Sequence, residues 1–157
     1  MVKSFSVLLV VLGIASTTLI DKFSFYKAFQ SNSQEKIESK LSGLAKVRQS
    51  NSRDAYIGAL TMKHSQFEAT SKEKIAVFKE GRNLLETAIK KDPKNAEYRF
   101  LRFAIQENAP KILKYKMNME EDKNMIISNY KSLDPTLRKI IKEYAKQSAN
   151  LPSERLK

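Results

Sequence analysis

The chain has 157 residues, 29 Lys and Arg against 17 Asp and Glu, and a formal net charge of +12, so it is about one domain long and strongly basic. Because it has no cysteine, disulfides, thiolate catalysis, cysteine zinc sites and a lipid-modified N-terminal Cys are excluded. Only 4 Gly and 4 Pro, with abundant Lys, Glu, Leu and Ala, point to an all-α fold.

Residues 1–20 read as a secretory signal peptide. Lys3 precedes an apolar run from Phe5 to Ile14, and small residues Ala15, Ser16, Thr17 and Thr18 follow. Cleavage after Ala15 fits the small-x-small preference, with a site a few residues later as the alternative. The run is short for a membrane span of about 20 residues, though an uncleaved anchor is the second reading. The expected location is outside the cytoplasm, in the periplasm or cell envelope.

An aromatic leading segment, 21–32, carries Phe23, Phe25, Tyr26 and Phe29. It either packs its rings on the core or, if the leader is retained, sits at a membrane interface. Ser31 or Ser33 caps the next helix, in which Ile37, Leu41, Leu44 and Val47 recur at helical spacing up to Gln49. A polar connector, Gln49 to Asp54, leads into a helix from Asp54 to about Ala69, with Tyr56, Ala59, Leu60, Met62 and Phe67 near one face. Gly58 lets a neighbouring helix approach closely.

Thr70 and Glu73 have capping-box spacing, so a helix begins at Ser71. Its stripe of Ile75, Phe78, Leu85, Ala88 and Ile89 runs to Lys91, and Asp92-Pro93 stops it. Asn95 caps the following helix at Ala96. There Tyr98, Phe100, Leu101, Phe103, Ala104 and Ile105 leave only a narrow polar stripe of Arg99, Arg102 and Gln106. A helix so nearly apolar all round belongs at the centre of the core.

Asn108 and Pro110 end it, and 111–117 reads as a short turn laying Ile112, Leu113 and Tyr115 over the core. Asn118 with Glu121 opens a helix that buries Ile126, Ile127 and Tyr130. Asp134-Pro135 opens the last one, with Leu137, Ile140, Ile141 and Tyr144 on one side and Arg138, Lys139, Lys142 and Lys146 displayed elsewhere. The expected plan is thus a leader 1–20, a leading segment 21–32, one helical domain 33–148 of about five or six helices, and a flexible tail 149–157.

Phe78, Gly81, Leu85, Ala88 and Pro93, with Asp92 and Asn95 at the turn, resemble the second half of a tetratricopeptide repeat followed by the first helix of the next. Gly58 lies farther from Phe78 than the family places its first-helix glycine, and no second Ala-to-Pro signature follows. The resemblance covers 78–103 well and 54–103 loosely. It implies a helical-hairpin stack or bundle whose concave side binds a protein or peptide. As a whole, the chain also resembles small exported proteins of Bacteroidetes, a likeness that supplies no function.

Candidate chemistry is sparse. His64 is the only histidine, has no His or Cys partner at metal-ligand spacing, and reads as solvated or capping. Glu120, Glu121 and Asp122 crowd a helix N-terminus, where the dipole favours negative charge. No catalytic set or cofactor fingerprint appears, so no enzyme and no cofactor are expected. The Arg99, Arg102 and Gln106 stripe shares one face: either its guanidiniums pair with a carboxylate such as Glu80, Glu86 or Glu97, or they line a partner groove. The expected function is a non-enzymatic interaction or scaffold module of the cell envelope. The alternative is a basic protein binding anionic lipid or polysaccharide through Arg138, Lys139, Lys142 and Lys146. Basic residues interleaved with acids, and the lack of a recognition motif, argue against nucleic acid.

Overall fold

Seven α-helices follow one another through residues 20–157, the part of the chain that the computed structural model describes. They are α1 (Lys22–Phe29), α2 (Gln34–Ala45), α3 (Asn51–His64), α4 (Ser71–Lys91), α5 (Ala96–Asn108), α6 (Met119–Asn129) and α7 (Pro135–Ala145). The expected leader lies outside the described residues, apart from Ile20. No helix among the described residues is long and apolar enough to cross a membrane.

Local capping chemistry sets most of the boundaries. Thr70 and Glu73 form a complete capping box at α4, each side chain accepting the other's backbone N–H. The Asn95 side chain accepts from the N–H groups of Glu97 and Tyr98 at 3.1 and 3.2 Å and opens α5. Asp134 accepts from Leu137 N–H at 3.0 Å, with Pro135 at the first position of α7. Ser33 rather than Ser31 caps α2, because the Ser31 hydroxyl donates back to the Ala28 carbonyl. At α3, Ser50 is the cap and the helix starts at Asn51, earlier than Asp54.

The helix count exceeds the expected five or six because the aromatic leading segment is itself a helix, capped by Asp21 through Ser24 N–H at 3.2 Å. Phe25, Tyr26 and Phe29 are buried in a shared aromatic cluster with Tyr56 and Phe100, while Phe23 stays exposed. α1 therefore belongs to the core.

α3 and α4 form an antiparallel hairpin that closes at two glycines. A Cβ at Gly58 would lie 2.7 Å from both the Gly81 carbonyl oxygen and the Leu85 nitrogen, and one at Gly81 would lie 2.6 Å from the Gly58 oxygen. The two backbones touch there, which only glycine permits. Against this hairpin runs α5, buried from Ala96 through Gln106. Its aromatic and aliphatic side chains pack toward α1, α3, α6 and α7 together, as its apolar circumference requires.

The tail 149–157 is docked rather than flexible: Leu151 and Leu156 are buried, and Asn150 and Ser148 bond to Glu107. In the turn after α5, Leu113 and Tyr115 pack inward as expected, but Ile112 is 77% exposed.

Candidate functional site

α5 separates two chemically different sides. On one, the i, i+3, i+7 stripe of Arg99, Arg102 and Gln106 faces α6 and the middle of α4. On the other, Phe100, Ala104 and Asn108, at i, i+4, i+8, form part of an open groove.

The guanidiniums are fully engaged by protein groups. Arg102 grips Asp122 through Nε and Nη2 at 2.7 Å each, and its Nη1 donates to Glu86 Oε2 at 2.8 Å. Arg99 donates from Nη1 to Asp122 at 3.1 Å and Glu121 at 2.9 Å, and from Nε and Nη2 to the Pro93 carbonyl. Tyr115 extends the cluster by donating its hydroxyl to Glu86 Oε1 at 2.5 Å. Asp122 is 0% exposed, so it has exchanged all its water for the Arg102 fork and one Arg99 donor. Burial alone would depress the Arg102 pKa, but the Asp122 and Glu86 carboxylates outweigh it and hold the pKa above its ordinary value. The Asn118 amide and the Arg99 guanidinium hold the Glu121 pKa below its ordinary value.

Of the carboxylates expected for these arginines, Glu86 is a partner and Glu80 and Glu97 are not. Glu97 instead accepts from Tyr56 at 2.6 Å, Tyr26 at 3.2 Å and Lys22 at 2.7 Å, and Lys22 reaches on to Asp134 at 2.8 Å. That cluster ties α1 to α3, α5 and α7. Burial pushes both tyrosine hydroxyls up, reinforced by the Glu97 charge. Gln106 completes the stripe, fully buried, with neither amide atom hydrogen-bonded to another protein group. The stripe thus lies in the interior as an ion cluster clamping α6 to α5, and the groove runs along the opposite side of α5.

The groove encloses about 980 Å³ between the C-terminal ends of α1, α3 and α5, the first turns of α4, and α7. Its floor is apolar, built from Met62, Phe78, Phe100, Ala104 and Ile105, with Tyr144 on the α7 side. The polar lining includes Lys63, Lys74 and Glu143. Glu143 is already paired with Lys146 at 2.8 Å. Lys63 has no carboxylate within 4.0 Å, lies 6.0 Å from the Phe29 ring centre, and has its pKa lowered by burial. The free charge at the groove is therefore positive. This site leaves no mark in the sequence, because its residues come from five helices and each alone reads as core or as a solvated lysine.

His64 joins α2 to the end of α3, its Nε2 standing 2.9 Å from Glu38 and its Nδ1 3.3 Å from Glu68. No group of three or more His, Cys, Asp or Glu arranged to hold a metal occurs among the described residues. On α7, Lys139 and Lys142 are exposed and Arg138 is half-buried, and Lys146 at its C-cap is occupied by Glu143. Glu107, at the end of α5, accepts from Ser148 Oγ at 2.7 Å and from Asn150 N and Nδ2 at 3.0 and 2.8 Å, and from the Tyr144 hydroxyl. Burial alone would raise the Glu107 pKa, but these four donors outweigh it and bring it below 4.5. No protein-family model, curated protein or solved structure matches this chain.

Proposed function

We propose that the chain is a non-enzymatic helical interaction module of the bacterial cell envelope, tetratricopeptide-like in its α4–α5 unit, whose groove receives a segment of another protein. The observation that carries this reading is the groove of about 980 Å³ with an apolar floor and an unpaired, partly desolvated Lys63 at its edge. A desolvated cation without a carboxylate gains most from an incoming anion. The occupant is accordingly an apolar segment carrying an Asp or Glu that meets Lys63 and Lys74. The burial of Phe78, Gly81, Leu85 and Ala88 along α4 supports the hairpin resemblance.

The test is photo-crosslinking in the envelope, with p-benzoylphenylalanine placed at position 75 inside the groove or at position 94 in the exposed turn before α5. The expected result is one dominant adduct from position 75 that Lys63→Glu abolishes. Equal yields at both positions, or an adduct indifferent to Lys63→Glu, contradict the reading.

A second reading is contact with an anionic envelope surface. Among the described residues, only Lys22, Arg53, Arg99, Arg102, Lys123 and Lys146 of the lysines and arginines stand within 4.0 Å of a carboxylate. The many remaining cations are available for such a surface.

A further inference from the structure

We propose that the loop Pro110–Asn118 is a membrane-contact element that seats Ile112 and Met117 in the head-group region of an anionic phospholipid bilayer, with Lys111, Lys114 and Lys116 on the phosphates. The proposal rests on the second reading above and gives that reading a location.

The large exposed apolar side chains among the described residues are Phe23, Ile112 and Met117. Two of the three stand on this one loop, 77% and 89% exposed. Between and beside them Lys111, Lys114 and Lys116 are exposed and make no ion pair. The loop itself contains no acid, and the acids that flank it are engaged. Glu107 is held by Tyr144, Ser148 and Asn150, Glu120 by Lys123, and Glu121 by Arg99.

The display is fixed rather than slack. Tyr115 is buried, its hydroxyl bound to Glu86, its ring 5.6 Å from Phe78 and covered by the Arg82 guanidinium at 5.1 Å. Lys114 holds a left-handed backbone with φ 47°, a conformation that L side chains seldom adopt. It stands between two inward side chains, Leu113 and Tyr115, and points its own ammonium outward. Folding into this geometry leaves an isoleucine at the edge of the groove and a methionine in water on one short loop with three exposed cations.

A bilayer fits this surface better than a protein does. Two side chains on one short loop supply far less apolar area than a stable protein interface of about 1,200 Å² or more. Lysine stems reach past apolar neighbours to phosphate while the apolar tips enter the interface. Each lysine near an anionic surface contributes about fivefold in partitioning at moderate ionic strength.

The experiment is sedimentation of the full chain with phosphatidylcholine vesicles, with and without one quarter phosphatidylglycerol. The readout is the ratio of the two partition constants, in which contributions from uncharged parts of the chain cancel. The combined Lys111→Gln, Lys114→Gln and Lys116→Gln variant is expected to lower that ratio about 100-fold. The Ile112→Ser and Met117→Ser pair is expected to lower binding to both vesicle types about tenfold. Thermal unfolding of each variant within a few degrees of the parent establishes that the fold is retained, as these side chains are exposed. A control variant carries Arg138→Gln, Lys139→Gln and Lys142→Gln on α7. If the ratio falls as far in the α7 variant as in the loop variant, or only there, the loop assignment is overturned and the anionic-surface reading stands. If the parent shows no preference for phosphatidylglycerol, both are overturned. Undiminished binding by the Ile112→Ser and Met117→Ser pair overturns the insertion.

Discussion

Gly58→Ala tests the α3–α4 crossing on which the groove is built. The new methyl would lie 2.7 Å from the Gly81 oxygen and 2.7 Å from the Leu85 nitrogen, both backbone atoms, where ordinary contact begins at 3.4 Å. Neither atom can rotate away, so the helices must part by about 0.7 Å, and overpacking of this kind costs about 1–3 kcal/mol, with backbone contacts at the upper end. Against this, alanine in a helix interior gains about 1 kcal/mol over glycine. The net expectation is a loss of about 2 kcal/mol, which for a chain of this size lowers Tm by about 6 °C. Gly43→Ala is the internal control, because a Cβ there has nothing within 4 Å. It gains propensity alone and is expected to raise Tm by about 2 °C. Adding Gly81→Ala to Gly58→Ala should cost less than its single value, since the helices have already separated. Calorimetry of the three single variants and the double decides the matter. A Gly58→Ala protein stabilised like Gly43→Ala would refute direct backbone contact between α3 and α4.

Further outcomes follow from the buried polar groups. Asp122→Ala should cost about 3–5 kcal/mol in urea unfolding, because two buried guanidiniums lose their shared partner, and adding Arg99→Met and Arg102→Met should recover most of it. Gln106→Met should stabilise by about 1 kcal/mol, since it removes a buried amide without protein partners and keeps the volume. The Glu107 latch gives a pH dependence. Its folded pKa lies below the ordinary 4.5, so the stability it confers is present above pH 4.5 and is lost as pH falls through the lower, folded value. The Tm difference between the parent and Glu107→Gln should therefore be largest near neutrality and shrink on acidification. Leu151→Ala should cost about 2–4 kcal/mol, as a buried leucine does, whereas a frayed tail would give no change.

The parts of the fold legible in the sequence are those fixed by neighbouring residues. The bounds of α4 and α5 follow from Thr70 with Glu73, Asp92-Pro93 and Asn95, all acting within a few residues of themselves. The central place of α5 is legible for a similar reason, since its apolar circumference is a property of one helix. Asp122 was not legible as the partner of Arg99 and Arg102. It reads locally as a charge serving the α6 dipole, and only the packing of α6 on α5 brings it to the guanidiniums. The docked tail depends likewise on Glu107, 43 residues before Asn150, and two isolated leucines carry no periodicity. Ile112 reads as core by its type, but the left-handed residue at Lys114 that shapes its turn has no signature, lacking the glycine that usually marks one. The groove is the most distant from the sequence, because concavity belongs to five helices at once.

Hydrogen exchange on the chain, free and bound to the partner segment recovered by the crosslink at position 75, tests the proposed function most directly. Slowed exchange concentrated in 62–78 and 100–113, the stretches that form most of the groove, is the expected result. Protection confined to 138–146 on α7, with the groove stretches unchanged, would contradict it.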